Sequence, residues 1–449
     1  MVQIIDIITS VISLFLVITN GKKLGHGARY LVFYIFFVFY GLPLVLDSFI
    51  QMADYTYSYG YYGFDISQND EATRIIYDIF IIYTQLIILY YPKRTQRDYT
   101  PICAPKMVLS SHTILALCFF TIVPSLGVLI LMRRPEILHS FQWRELELFN
   151  AVGSYSTIEK FSYLGVTCSC ILLFNGRKGF QNIILKCFGL AFTYVNVCIQ
   201  GKRAILFFAI IVFFILLFYS YSSHINNKKQ ARRIAFISLL IVSVASVGMV
   251  FFSLTVKMGR GYSETATDIF YTTTRVDFLR DDRVRMAIYA ETHPDKMKIL
   301  DYPGQSFLSD ISAIVPVNYL VAFMELEPYS YQTHFTYALT KEPKPENGRL
   351  VVDGNSWMTV CFISELLSNL SFLGFILIPF FFLTFSSWID RSLYPYNALL
   401  TCGLTLLNMF DFTYIVLYLE VVLVLLLINK HRTKINIPNA NTINRSSAN

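Results

Sequence analysis

Charged residues are scarce in this sequence. Only 15% of the 449 residues are Asp, Glu, Lys or Arg, whereas an ordinary soluble domain has roughly 25%. Hydrophobic residues make up 55% of the chain. This composition excludes a soluble enzyme, a disordered chain and a nucleic-acid-binding protein, because the net charge of +7 lies mainly in short loops between apolar runs.

Cysteine and histidine are also few. None of the eight cysteines lies within residues 257–356, so no disulfide framework supports that segment. Cys168 and Cys170 are two residues apart and therefore do not share a helix face. The only histidines of the segment, His293 and His334, lack the spacing of metal ligands. We therefore expect no metal site and no cofactor.

Apolar runs long enough to cross a hydrocarbon layer about 30 Å thick recur along the chain. They predict an all-α, polytopic membrane protein with about eleven transmembrane helices. The first run lacks a positive n-region and an A-x-A-like cleavage site, so we interpret it as a helix and not a signal peptide. The predicted helices lie at residues 2–19, 30–50, 73–91, 108–131, 157–174, 181–200, 203–221, 234–256, 371–388, 393–409 and 412–429.

The short loops predict the orientation. One set is rich in Lys and Arg, whereas the loops that alternate with it are not; residues 51–72, for example, hold four acidic residues and no basic one. By the positive-inside rule the basic set is cytoplasmic. The N-terminus is then outside and the C-terminus is cytoplasmic, and we expect a multi-pass protein of the inner (plasma) membrane. The basic loops contain Lys22, Lys23 and Arg29; Lys93, Arg94, Arg97 and Lys106; Arg177 and Lys178; Lys228, Lys229, Arg232 and Arg233; Arg391; and Lys430, Arg432 and Lys434.

One outer segment is much longer than the others. Residues 257–356 hold fourteen acidic and eleven basic residues, a net charge of −3. Because long ordered loops are usually functional, we expect this one to cap an outward-facing cavity. The predicted organisation is therefore helices 1 to 8 in residues 1–256, the large outer loop, a re-entrant or interfacial segment with helices 9 to 11 in residues 357–429, and a cytoplasmic tail in residues 430–449.

Arginines are concentrated near the start of the outer loop. Four of them, Arg275, Arg280, Arg283 and Arg285, lie within residues 274–291, which predict a short amphipathic helix. Arg280 and Arg283 are three apart and would share a face, where two guanidiniums suit a phosphate or pyrophosphate. Nearby aspartates allow a different interpretation, in which the cluster consists of ordinary surface ion pairs. These are Asp277, Asp281 and Asp282.

A second basic group opens the seventh predicted helix at its outer end. The sequence there is Gly201-Lys202-Arg203, which departs from the charge rule that the other short loops follow. A helix N-terminus adds partial positive charge and N–H donors, so Lys202 and Arg203 could form an anion site. Contact of the two side chains with outer-leaflet phosphates is the alternative.

Two further stretches supply polar groups. The sequence Asp301 to Phe307 contains Pro303-Gly304, which predicts a turn. Tyr302, Gln305 and Ser306 could form a sugar-facing wall there, and a plain surface turn fits equally well. Trp357 to Leu370 precedes the ninth helix and predicts a re-entrant or interfacial helix, on which Glu365 and Asn369 share a face.

These residues resemble the Wzy-type polysaccharide polymerases of bacterial O-antigen and capsule synthesis. The resemblance covers residues 200–411 and lies in the Gly-Lys-Arg at 201–203, the stretch 271–309 and Ser364-Glu365-Leu366. Within 271–309 it involves Arg275, Arg280, Asp282, Arg283 and residues 302–306. The sequence departs from the family late in the chain, where an Arg-Gly-Asp-like turn is replaced by Met409-Phe410-Asp411.

The resemblance implies glycosyl transfer at the outer face of the inner membrane. The donor is a glycan on undecaprenyl pyrophosphate, the acceptor is one lipid-linked repeat unit, and undecaprenyl pyrophosphate leaves. A flippase and a chain-length regulator are the implied partners. The implied leaving-group clamps are Arg203 and Arg283, with Arg260, Arg275 and Arg280 as further candidates, and Asp282 and Glu365 are candidate proton acceptors. Lys202, Tyr302, Gln305 and Ser306 are candidate substrate-binding residues.

Three other functions remain open at this stage. An O-antigen ligase shares the donor and much of the layout and differs in the acceptor. A flippase or transporter of lipid-linked oligosaccharide is less favoured, because the two halves of the chain show no internal repeat. A polyprenyl-phosphate sugar transferase is expected to carry an acidic motif in its first outer loop, and residues 51–72 have only scattered acids.

Overall fold

The computed structural model describes residues 2–23, 27–50, 69–92, 109–131, 152–175, 179–199, 203–223, 279–307, 331–340, 360–392, 394–410 and 412–435. Within these ranges the chain forms helices and turns and contains no strand. The prediction of an all-α protein is confirmed for this part of the chain. Helices occupy ten of the eleven predicted spans, and the remaining one, at residues 234–256, lies outside the described residues.

The helices are bounded as follows. They are α1 Val2–Asn20, α2 Ala28–Phe36, α3 Leu42–Ile50, α4 Glu71–Tyr90, α5 Ser111–Leu131, α6 Val152–Leu173, α7 Phe180–Tyr194, α8 Arg203–Ser223, α9 Asp281–Thr292, α10 Tyr331–Thr340, α11 Phe362–Leu370, α12 Phe372–Arg391, α13 Tyr396–Met409 and α14 Thr413–Ile435. A π-helical turn, Phe37–Gly41, joins α2 to α3, and another, Val195–Ile199, extends α7.

Five of the described helical segments are long and apolar enough to cross a membrane. They are Val2–Asn20, Ala28–Phe49, Glu71–Tyr90, Ser111–Leu129 and Phe372–Arg391. Shorter apolar helices lie at Lys160–Leu173, Ala204–Ser220 and Tyr414–Leu427. By length and composition, these segments are those of a membrane-embedded protein.

The first helix shows why the bundle suits lipid. On α1 the apolar side chains face outward, with Phe15 63% and Ile18 75% exposed, whereas Ser10 and Ser13 are fully buried. A surface helix of a soluble protein has the opposite arrangement. Inside the bundle, Ser10 Oγ donates to Leu44 O at 3.2 Å, and Gln85 Nε2 donates to Ser13 Oγ at 2.6 Å. Lipid can solvate the apolar face while hydroxyl and amide groups join the helices inside.

Contacts between helix ends divide the bundle into two sides. On one side, Asp390 Oδ1 at the end of α12 accepts from Ala28 N at 2.7 Å, and Arg29 Nη2 donates to Tyr91 O, just after α4, at 2.8 Å. On the other side, His293 Nε2 after α9 lies 3.7 Å from Oδ1 of Asp70, the N-cap of α4. Helix α9 therefore lies at the end of the bundle opposite to the start of α2.

The chain reverses sharply between α11 and α12. Ser371 joins the two helices with a φ of 51°, a left-handed conformation that a non-glycine residue rarely adopts. The reversal brings α12 so close to α11 that a Cβ atom on Gly374 would lie 2.8 Å from Leu366 O and 3.2 Å from Leu367 Cα. Only glycine allows this approach, because the opposing atoms belong to the backbone and cannot rotate away.

We expect Gly374→Ala to lower the free energy of unfolding by about 1–3 kcal/mol, the usual cost of overpacking a well-packed contact. Thermal unfolding of the detergent-purified protein measures the effect. Gly21→Ala is the control, because the nearest atom to a Cβ there is the Tyr34 hydroxyl oxygen at 3.4 Å. Equal unfolding temperatures for the two variants would contradict the expectation.

Candidate functional site

Helix α9 is buried between other helices. It packs against α4 and α11, and every residue from Asp281 to Ala290 is buried. Its start contacts the middle of the α2 and α3 segment, where Arg280 N donates to Phe39 O at 3.4 Å. Further along, the Arg285 guanidinium lies 4.4 Å from the centre of the Tyr77 ring. Because Tyr77 is seven residues beyond the Asp70 N-cap, this contact lies about 10 Å along α4 from its end.

The sequence predicted this helix but not its surroundings. The expected amphipathic helix over residues 274–291 begins instead at Asp281, with Arg280 as its N-cap, and is buried on all sides. The interpretation as surface ion pairs is therefore wrong for Arg283 and Arg285, whose pairs with Asp282 and Asp281 are buried; Arg275 and Asp277 lie outside the described residues. Periodicity could not show this burial, because α9 carries charged residues among apolar ones and its neighbours are distant in sequence.

Each arginine of this helix region is held by acceptors. Arg280 is fully buried; its Nε donates to Met409 O and its Nη1 to Leu279 O, both at 3.1 Å. Arg283 forms an ion pair with the neighbouring Asp282, and Arg285 Nε lies 3.4 Å from Asp281 Oδ2. A guanidinium has five N–H donors in a planar fork, so these groups can also bind the oxygens of an anionic ligand.

A second buried network surrounds Glu365. Its Oε1 accepts from Ser306 Oγ at 2.8 Å, and its Oε2 accepts from Phe412 N at 2.8 Å. Asn369 Nδ2 donates to Ser306 Oγ at 2.7 Å and to Glu365 O at 2.8 Å. The prediction that Glu365 and Asn369 share a helix face is confirmed. Glu365 ties together α11, the segment 301–307 and the start of α14, which favours a positioning role over that of a general base.

The predicted Pro-Gly turn is also confirmed. Gln305 N donates to Tyr302 O at 3.3 Å, and Gly304 between them has a φ of +83°, as a type II turn with Pro303 before it requires. Tyr302 is 40% exposed, whereas Gln305 and Ser306 are buried. Gln305 Oε1 accepts from the N–H of Asp301 at 2.8 Å, so its side chain stabilises the turn.

The two networks meet at one connection. Arg280 binds the carbonyl of Met409, and Glu365 binds the N–H of Phe412, so both hold the short link between α13 and α14. The structure thus brings together five predicted site residues, namely Arg280, Asp282, Arg283, Ser306 and Glu365. Arg203 opens α8, but its side chain is not among those described, and Lys202, Arg260, Arg275 and Asp411 lie outside the described residues.

The comparisons with known proteins found no match. Neither protein-family models, nor curated proteins, nor solved structures are similar enough to this chain to indicate its family or function.

Sequence reasoning missed three charged residues beside α9. Asp6 of α1 forms an ion pair with Arg74 of α4, and Asp78 of α4 is buried next to Asp6. A signal was present, because Arg74 and Asp78 are four residues apart and therefore neighbours on one face of an apolar helix.

Other reactive side chains near the site remain uncharged. Burial raises the pKa of the Cys361 thiol, although Ser364 and Arg280 act in the opposite direction. Burial likewise raises the pKa of Tyr331, whose hydroxyl donates to Ser364 O at 3.0 Å. Neither group is an activated nucleophile at neutral pH. Among the described residues, no group of three or more His, Cys, Asp or Glu side chains could hold a metal ion.

We expect Glu365→Ala to destabilise the protein strongly, because it leaves the Phe412 N–H and the Ser306 hydroxyl without their shared acceptor. Each buried group left unsatisfied costs about 1–3 kcal/mol. Ser306→Ala should cost less, and the double variant should cost less than the sum of the two. A double-mutant cycle of thermal unfolding measures this coupling.

Glu420→Ala serves as the control for the Glu365 cycle, because Glu420 is an exposed carboxylate on α14. Its removal should leave the unfolding temperature nearly unchanged. Additive effects of Ser306→Ala and Glu365→Ala would show that the two side chains do not act as one network.

Proposed function

We propose that this protein is a glycosyltransferase that polymerises undecaprenyl-pyrophosphate-linked oligosaccharide repeat units into O-antigen, capsule or exopolysaccharide. The observation that supports the proposal is the burial of Arg280 and Arg283 at the start of α9, beside the link between α13 and α14. Buried cations in a membrane protein are costly and usually mark a site for an ion or a charged ligand. A pyrophosphate group has the charge and the acceptor oxygens that a pair of guanidiniums binds best.

The proposed topology has eleven spans in the inner membrane, an outer N-terminus and a cytoplasmic C-terminus. Pairing of helix ends supports it. Ala28 and Tyr91 adjoin loops rich in Lys and Arg, Asp390 precedes Arg391, and the three residues meet at one side of the bundle. Helix α9, Asp70 and Met409 meet at the other side. In the proposed orientation, the arginines of α9 lie between the middle of the bundle and its outer end, and lipid-linked repeat units are expected to be joined on that side.

In the proposed reaction, a hydroxyl of the acceptor sugar attacks the anomeric carbon of the donor. The bond from that carbon to the pyrophosphate oxygen breaks, and undecaprenyl pyrophosphate leaves with the electron pair. Arg280 and Arg283 would stabilise the negative charge that develops on the leaving group, with Arg203 as a third candidate. The hydroxyl proton needs an acceptor; we assign this to Asp282, because both oxygens of Glu365 are already held.

The ion pair between Asp282 and Arg283 suits this chemistry. The two groups are almost fully buried, and removing water strengthens any charge interaction in the site. An incoming pyrophosphate would compete with Asp282 for Arg283. That competition would draw the guanidinium toward the leaving group and free the carboxylate to accept a proton.

The test uses cells that lack the gene and are complemented with variants, followed by gel analysis of the surface polysaccharide and measurement of membrane protein levels. We expect deletion to leave single repeat units in place of a ladder, and Arg283→Ala to do the same. If polymer accumulates on its lipid carrier instead, the protein is a ligase. If full ladders persist after deletion, neither function holds.

A charge-balanced variant separates catalysis from folding. Arg283→Ala leaves Asp282 buried without its counter-ion, which alone can destabilise a protein by about 3–5 kcal/mol. The double variant Asp282→Asn with Arg283→Gln removes both charges and should restore the protein level without the ladder. A restored ladder would show that Arg283 is structural. Lys298→Ala is the matched control, because this nearby cation is 59% exposed.

A further inference from the structure

Two carboxyl groups of different helices lie together inside the bundle. Asp78 of α4 is only 2% exposed and Asp6 of α1 is 8% exposed, and the two side chains are within hydrogen-bonding reach of each other. Asp6 also forms the ion pair with Arg74, one helical turn before Asp78. The pair lies beside α9. On that helix, the positive charge of Arg285 attracts the Asp78 carboxylate.

The hydrogen bonds of Asp78 are incomplete. No donor among the described residues reaches either of its carboxylate oxygens, and Oδ1 of Asp6 has no partner there either. A buried carboxylate without a donor is costly. Two carboxylates cannot bond to each other, because each offers only acceptors, but a carboxylic acid and a carboxylate can. One proton between Asp78 and Asp6 therefore gives one oxygen of each carboxyl group a hydrogen-bond partner.

The charges of the surrounding groups agree with one bound proton. With a shared proton the two carboxyls carry a single negative charge, which matches the single positive charge of Arg74. Arg285, the next cation, already lies against Asp281 and the Tyr77 ring. Helix α3, which packs on α1, carries one further acidic residue, the half-buried Asp47.

Among the described residues, the charged side chains of the other helices packed against α4 lie at its far end. The charged side chain of α2, Arg29, donates to Leu89 O at the far end of α4. On α12, Asp390 accepts from Ala28 N at that same end, and Arg391 follows it directly. Within the part of the chain that the structure describes, the cations that act on Asp78 are thus Arg74 and Arg285.

We propose that Asp6 and Asp78 form a proton-binding site that holds one shared proton at neutral pH, with the proton mainly on Asp78. The site is separate from the proposed glycosyl transfer and does not depend on it. Release of the proton would place a second negative charge beside Arg285. The ionised Asp78 would then compete with Asp281 for the Arg285 guanidinium. Proton binding at the α1–α4 interface would then be linked to the position of α9.

Infrared spectroscopy of the full-length protein in lipid vesicles tests the proposal directly. The difference spectrum between the wild type and Asp78→Asn at neutral pH should show the carbonyl band of a protonated carboxylic acid in the wild type alone. Asp295→Asn, which changes an exposed carboxyl, should leave that band unchanged. Absence of the band from the wild type, or its persistence in Asp78→Asn, would overturn the proposal.

Stability measurements give a second, independent readout. If the folded state holds one proton more than the unfolded state, the unfolding equilibrium constant rises by up to about tenfold per pH unit as the pH increases. Asp78→Asn, which mimics the protonated group, should fold at neutral pH and flatten this dependence. Asp6→Asn should be less stable than Asp78→Asn, because it leaves Arg74 without its carboxylate. A steep pH dependence in Asp78→Asn, or equal stability of the two variants, would contradict the assignment.

Discussion

A guanidinium buried among apolar helices must be surrounded by acceptors, and this requirement organises one end of the molecule. Arg280 obtains its acceptors from the backbone, at the carbonyl groups of Met409 and Leu279. The Met409 carbonyl is available because α13 ends there, and the last carbonyls of a helix lack helical partners. The Leu279 carbonyl is available because Leu279 lies before the N-cap of α9. The positions where helices stop are therefore fixed by the same contact that holds the arginine.

The same logic explains why the neighbouring network is so closely connected. Phe412 precedes α14, so its N–H needs an acceptor outside the helix, and Glu365 supplies one. Glu365 can do so because the reversal at Ser371 folds α11 back against α12, close enough to require glycine at residue 374. The backbone conformation of Ser371 thus determines where the Glu365 carboxylate lies relative to Phe412. The link between α13 and α14 is held by a cation and an anion at once.

The sequence predicted the helices, one shared helix face and one turn, because each of these depends on residues close together in the chain. The apolar runs predicted the helices, because a membrane span is defined by length and composition along the chain. The i, i+4 spacing placed Glu365 and Asn369 on one face, and Pro303-Gly304 predicted a turn whose geometry the structure confirms. The sequence could not show which polar side chains are buried or which distant residues are in contact. The local sequence pattern does not indicate that Arg283 is buried. It also does not indicate that Ser306 contacts Glu365, which is 59 residues away.

The ion pair between Asp6 and Arg74 also constrains how the protein is made. The two residues are 68 positions apart in the chain, so α1 enters the membrane well before its partner on α4 has been synthesised. During that interval the aspartate has no counter-ion, and an acid on an isolated helix resists leaving water. We therefore expect stable insertion of α1 to depend on its pairing with α4.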